Sequence, residues 1–358
     1  MKNKFKLLNQ KFGSLKPMKD NVVLGAGLVA LDVIVNGSPD TPAKLCAGGS
    51  CGNVLSILSF LGWESKPIAR LSDNSASETL FNDFTQFDVN TSLLSKSSDG
   101  STPIIIHRIL KDKDGNPKHK FEFRVPGTGA WLPQYKPVLK LAVQAIIDLQ
   151  PTAKVFYFDR ISPSTLDLVR YYKSQGALIV FEPSSLKEDK LFVELISLAN
   201  IVKFSNDRIP EYGDVYTSPK ANLEIETLGK KGLRYRLKSS ENNEWINIPP
   251  FKINQLLDSA GAGDWCTAGI INQLGYDGVK SFNGSSNKEI NNALNIGQAL
   301  GALNCLFFGA RGMMYNLDRD QIEKYINQLI DDNSLVMKDV CQYKNMVSID
   351  NFRFDMIL

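Results

Sequence analysis

No stretch of this sequence stays apolar for the roughly 18 residues that a membrane-spanning helix needs, so the chain reads as soluble. Its lysine-rich start, residues 1–20, has no apolar core and no small-residue cleavage site, which argues against a secretory signal. An excess of one charge is also lacking: the formal net charge is +3, without the basic face that nucleic-acid binding requires. Cysteine is scarce and unpatterned. The 5 residues (Cys46, Cys51, Cys266, Cys305, Cys341) are odd in number and show no CxxC or Cys/His metal spacing, so a reducing, cytoplasmic compartment is expected. G-x-x-x-x-G-K-[ST] does not occur, which leaves Walker-type phosphate binding without support. What remains is a chain of ordinary globular composition, 43% hydrophobic and 22% charged, long enough to bury one large α/β core.

The patterning supplies that core. Val22–Leu24, residues 28–35, 103–110, 118–125, 154–158, 177–181, 201–204 and 222–228 read as strands, rich in β-branched and aromatic residues. Helical spacing recurs at 52–61, 138–149, 164–175, 187–199, 264–274, 288–308 and 320–330. This alternation predicts a mainly parallel sheet covered on both faces. The pair 103–110 and 118–125 predicts a β-hairpin set between helical segments. Residues 276–288 read as a surface loop and 331–358 as a tail.

The run Leu257-Asp258-Ser259-Ala260-Gly261-Ala262-Gly263-Asp264 opens directly onto a helical pattern. Small residues at a helix N-terminus turn backbone N–H groups outward, where with the helix dipole they bind an anion. An Asp in the first turn, Asp264, is placed to take a proton from an attacking hydroxyl. The plainer alternative is a helix start with an acidic cap. Near the other end, Gly48-Gly49-x-x-x-Asn53 precedes a second helix. The glycines permit close backbone approach to a polyol, and the Asn53 amide offers a donor and an acceptor to vicinal hydroxyls. Asp32 is an acid within an otherwise apolar strand, which is costly unless it has a partner.

Together these runs resemble the signatures of the ribokinase/PfkB carbohydrate kinases. Residues 258–264 match D-T-x-G-A-G-D with Ser259 in place of Thr, and Gly48–Gly62 matches G-G-x-x-x-N before a helix ending in Leu-Gly. The resemblance implies a ribokinase-like α/β domain over 22–330, with a central mostly parallel sheet, flanking helices and a small β lid from 32–46 and 101–125. It implies ATP and Mg²⁺ as cofactors and a sugar-like acceptor. Asp264 is the implied catalytic base, beside an anion hole at Gly261, Ala262 and Gly263. Substrate is expected at Asp32, Gly48, Gly49 and Asn53. The nucleotide is expected along Thr227, Gly229 and Gly232, with Asn206 and with Asn304 on the 293–308 helix. Asp258 is the implied ligand of a monovalent cation, K⁺, with a simple turn acid as the alternative. The lid strands carry hydrophobic faces that need cover, so a homodimer through the lid is expected. A nucleoside kinase would use the same motifs.

Two positions depart from the family. Asn206 has Ile209 where N-x-x-E is usual, leaving Asp207 or Glu211 as substitutes and admitting a catalytically silent binder. Glu182-Pro-Ser-Ser replaces the D-x-N-x-R run of fructokinases and ketodeoxygluconate kinases. Gly25-Ala-Gly27-Leu-Val-Ala30 fits a dinucleotide fingerprint, but the β-rich residues that follow do not open a helix. Asp112-Lys-Asp114-Gly115-Asn116 reads as a hairpin turn and not a calcium loop, since its glycine comes too early and no closing Glu follows. His107 and His119, one on each arm, read as solvated or cross-strand residues before a metal pair.

Overall fold

The computed structural model describes residues 21–35, 42–111, 113, 117–186, 189–337, 346–349 and 353–357; the turn expected at 112–116 lies largely outside them. Its body is a 9-stranded sheet. The strand order is Ile246–Ile248, Leu233–Leu237, Leu223–Thr227, Ile201–Ser205, Leu178–Phe181, Val155–Phe158, Val22–Ala26, Glu64–Leu71, Leu94–Lys96. The first two of these are antiparallel to their neighbours and the rest run parallel. Val155–Phe158 and Leu178–Phe181 are buried at every position, as strands covered on both faces must be. From Val22–Ala26 the chain builds the sheet first to one side and then to the other. That reversal leaves a crevice beyond the strand C-termini, where open α/β sheets hold their ligands.

The helices start where their caps dictate. Ser162 accepts from the Thr165 N–H and Pro163 sits in the first turn, while Asp189 caps Lys190–Leu198. Ser286 and Asp318 each form a capping box. The expected helix at 138–149 is shorter, Ala142–Leu149. The 276–288 segment is not a plain loop: it holds the helix Val279–Asn283, with buried Phe282 filling the core.

A second sheet of 5 strands stands where the lid is expected, in the order Val347–Ile349, Ala43–Gly48, Ala30–Val35, Ile104–Lys111, Pro117–Glu122. Its inner face carries Asp32, Ile34 and His107 toward the body. Its outer face carries Leu31, Val33, Leu45, Ile104 and Ile106. The C-terminal tail has a defined place that sequence periodicity missed. Val347–Ile349 pairs with Ala43–Leu45, and Phe354 and buried Ile357 pack on the outer face with Leu132. The chain therefore covers that face with its own residues, which removes the argument that a partner copy must do so.

The helix Ala262–Leu274 lies against Asn287–Asn304 at very short range. A Cβ on Gly269 would fall 2.8 Å from the Gly297 Cα, one on Gly297 2.6 Å from the Cys266 carbonyl, and one on Gly301 2.6 Å from the Ala262 carbonyl. Gly297→Ala is expected to destabilise by about 1–3 kcal/mol, the usual effect of overpacking a rigid contact. A thermal melt unchanged from wild type would show that the two helices separate freely.

Candidate active site

The loop expected to form an anion hole is built by three contacts to the chain's far end. Gly261 has φ 72°, and a Cβ there would meet the Ala310 carbonyl at 1.9 Å, so glycine is required on both counts. Asp258 accepts from the Ala260 N–H at 3.0 Å and from the Gly309 N–H at 2.9 Å. Its carboxylate also lies 3.5 Å from His107 Nε2 of the lid. Asn304 braces the same turn. It donates to the Ala260 carbonyl at 3.0 Å and accepts from the Met313 N–H at 3.1 Å, with no surface exposed. The expected nucleotide contact from Asn304 is thereby corrected: a side chain sealed in backbone hydrogen bonds cannot touch adenine or ribose.

At the helix start, Ala262, Gly263 and Asp264 keep solvent-facing surface. Asn53 Nδ2 donates to Asp264 Oδ2 at 2.7 Å, while Asn53 Oδ1 is buried with no hydrogen-bond partner. A buried acceptor left open beside a carboxylate is a costly arrangement that a hydroxyl donor would relieve. Burial pushes the Asp264 carboxyl up to about 8. The charge of Glu182 adds to this, against the Asn53 hydrogen bond and the cations Lys203 and Arg208.

Asp32 faces the strand of the two glycines. A Cβ on Gly48 would lie 2.2 Å from its carboxylate, and Gly49 has φ 75°. Burial pushes Asp32 up to about 7, against the charge of Arg311 and with that of Asp83. Arg311 is fully buried and donates to the Ala47 carbonyl, to Asp83 and to Tyr315. Asp83 Oδ2 in turn accepts from the Ala47 N–H at 2.9 Å. This cluster fastens the inner edge of the lid to the body. Sequence reading missed it because Asp83 and Arg311 are 228 positions apart.

The loops expected to border a nucleotide join one another. The Asn206 N–H donates to the Thr227 carbonyl at 3.0 Å and the Leu228 N–H to the Gly232 carbonyl at 2.8 Å. Gly229 has φ 56° with open space where a side chain would stand. Asn206 Nδ2 donates to Glu226 Oε1 at 2.6 Å, and Arg234 holds the other oxygen. Ile209 is wholly buried among Phe204, Tyr212 and neighbours, whereas Asp207 and Glu211 are exposed. Three further groups reach the crevice unannounced by any motif. Asp159 accepts from the Leu28 N–H at 2.8 Å and pairs with Arg160. Glu182 pairs with Lys203 at 2.6 Å. Arg208 stands near enough to Asp264 to oppose its protonation. Among the described residues no cluster of three or more metal-ligating side chains occurs.

Against this geometry, the family model for pfkB family carbohydrate kinases matches residues 18–315. The chain belongs to the pfkB family. One relative, the probable chloroplastic fructokinase-6 of Arabidopsis thaliana, is 24% identical over 265 residues, covering 66% of this chain and 65% of the relative; the match thus falls just short of two thirds of that protein's length. A fructokinase double mutant from Vibrio cholerae O395, in a form with fructose, ADP and potassium bound, superposes with a TM-score of 0.65. It shares 18% identity, with 86% of this chain and 98% of that one covered. The nucleoside kinase of Methanocaldococcus jannaschii gives a TM-score of 0.59 at 18% identity, over the same shares of 86% and 98%. The pfkB fold is thus shared by sugar and nucleoside kinases alike.

Asp32 and Asp264 both bind protons more tightly folded than unfolded, with folded values near 7 and 8 against 3.8. Their stabilisation is complete below the unfolded value and is lost as pH rises through the folded ones. The thermal midpoint is expected to fall between pH 5 and pH 8, and Asp32→Asn to flatten that slope. An identical slope in the variant would place the dependence elsewhere.

Proposed function

We propose that the protein phosphorylates a hydroxyl of a small sugar-like substrate with MgATP. The observation that carries this is Asn53: its Nδ2 holds Asp264 at 2.7 Å while its buried Oδ1 lacks a partner. An acceptor hydroxyl donating to Asn53 or Asp264 would complete that pair. Asp32, Gly48 and Gly49 would take the remaining hydroxyls from the lid side. In the reaction Asp264 removes the hydroxyl proton as oxygen attacks the γ-phosphorus, and the bond from phosphorus to the bridging oxygen of ADP breaks. The N–H groups of Gly261, Ala262 and Gly263 receive the charge on the transferring group; such charge stabilisation and positioning carry most of phosphoryl transfer. Thr227, Gly229, Gly232 and Asn206 border the nucleotide.

Magnesium enters with the nucleotide as part of the substrate, and Asp207 and Glu211 are the exposed carboxylates nearest the expected Glu position. A K⁺ ion at Asp258 would have to share its carboxylate with the Ala260 and Gly309 N–H groups, and no step of the reaction needs it. A nucleoside acceptor is the second reading, favoured by the half-exposed Phe121 and Phe123 flanking the lid's free edge. Cys46, Cys51, Cys266 and Cys305 are free and buried, which supports a reducing compartment such as the cytoplasm. Among the described residues no helix is long and apolar enough to cross a membrane.

Asp264→Asn is expected to lower kcat by roughly 10²–10⁴ with nucleotide binding retained, in a coupled MgATP assay over pentoses, hexoses, polyols, keto-sugar acids and nucleosides. Near-wild-type kcat in that variant would remove Asp264 as base. MgATP bound without turnover on any acceptor would favour the silent binder. A lid homodimer would pair through the remaining edge, Pro117–Glu122; light scattering at micromolar concentration should then give twice the chain mass, and a strict monomer rejects it.

A further inference from the structure

The charged pair at the crevice floor has no part in the reaction as written above, yet it lies against the reacting group. Glu182 follows the strand Leu178–Phe181 at its C-terminal end, where an open α/β sheet meets its ligand. Its Oε1 accepts from Lys203 Nζ at 2.6 Å and its Oε2 from Thr267 Oγ1 at 2.7 Å. Thr267 is one turn beyond Asp264 on the same helix and also donates to the Gly263 carbonyl at 3.1 Å. A Cβ on Gly263 would stand 3.6 Å from Lys203 Nζ and 3.8 Å from Glu182 Oε1. The ion pair therefore sits directly beneath the anion hole. Lys203 is 2% exposed, and an unpartnered cation in that place would be costly.

We infer that Glu182 is a positioning residue for phosphoryl transfer, fixing the first turn of the Asp264 helix through Thr267 and Lys203 and acting on the Asp264 carboxylate by its charge. This rests on the reading of Asp264 as base. The groups facing Asp264 divide cleanly. Asn53 and Cys51 come from the helix Ser50–Phe60, Tyr157 from the strand Val155–Phe158, Lys203 from Ile201–Ser205, Arg208 from the loop after it, and Glu182 from its own strand end. Burial holds the Cys51 thiol and the Tyr157 phenol well above their ordinary values, so both stay neutral around pH 8. Glu182, Lys203 and Arg208 are left as the charges that act. Burial is the strongest single influence on Lys203 and opposes its charge, but the charge and hydrogen bond of Glu182, with Cys266 and Asp264, together keep the ammonium above its usual value. Glu182 thus has two opposite effects: its charge favours the proton on Asp264 directly, while by keeping Lys203 charged it favours loss of that proton.

The test needs no knowledge of the acceptor. The full-length protein, labelled at the aspartate side-chain carbon, is titrated by carbon NMR, and the Asp264 signal is assigned by its loss in D264N. E182Q should lower the Asp264 midpoint by roughly one to two units, as removal of a nearby like charge does. K203M should raise it, because the Glu182 charge is then unopposed. A contact that is merely structural predicts no such opposition of sign. If E182Q does not fold, K203M carries the same test in the other direction. Midpoints unmoved in folded variants, or moved the same way in both, would overturn the inference. The acid limb of the MgATP rate profile should follow the NMR midpoint in each variant. Absence of turnover in wild type with the NMR shifts present would strike the kinase reading alone, leaving the charge coupling established.

Discussion

One hydrogen bond organises the site: Asn53 Nδ2 to Asp264 Oδ2, between residues 211 positions apart. Each partner opens a helix, and each helix begins in a glycine-rich turn whose backbone is exposed because no side chain covers it. For the bond to form, the helices Ser50–Phe60 and Ala262–Leu274 must pack with their N-termini at the same crevice. Buried Trp265 against Phe60, ring centroids 6.3 Å apart, holds them there from below. Gly269, Gly297 and Gly301 let Asn287–Asn304 close the other side. The chemistry at the rim is set by this packing.

Charge in the crevice is arranged as matched pairs with one exposed cation beside them. Arg311 with Asp83, Arg160 with Asp159 and Lys203 with Glu182 are each bonded. Two carboxylates, Asp32 and Asp264, are left without a bonded cation, and both are pushed up in proton affinity by burial. In low dielectric an unpaired carboxylate costs most when ionised. The protein accepts that cost at two positions, one from the lid and one from the body, which the proposed function sets against the acceptor hydroxyl.

The lid depends on the same economy of surface. Its inner face is tied to the body by the Asp83 and Arg311 cluster, and its outer face is covered by Leu132, Phe354 and Ile357. The last residues thereby serve the fold as a fifth strand and a hydrophobic cover. A tail with few periodic apolar residues gives no sign of that use, because a three-residue strand on a sheet edge leaves too short a pattern to read.

The sequence by itself determined the alternation of strands and helices, the two glycine-rich helix starts and their order, and from these the family. Such features are local: a helix N-terminus with small residues binds anions wherever it is placed, and a buried parallel strand must be apolar along its length. It also marked Ile209 as out of place, and burial of that side chain in the core accounts for it. Only the tertiary structure decided that Asn304 seals a turn and meets no nucleotide, that Asp83 meets Arg311, that Asp159, Glu182 and Arg208 reach the crevice, and that the tail closes the lid. Those outcomes join residues tens to hundreds of positions apart, where no spacing rule operates and the partner of a buried charge is chosen by packing alone.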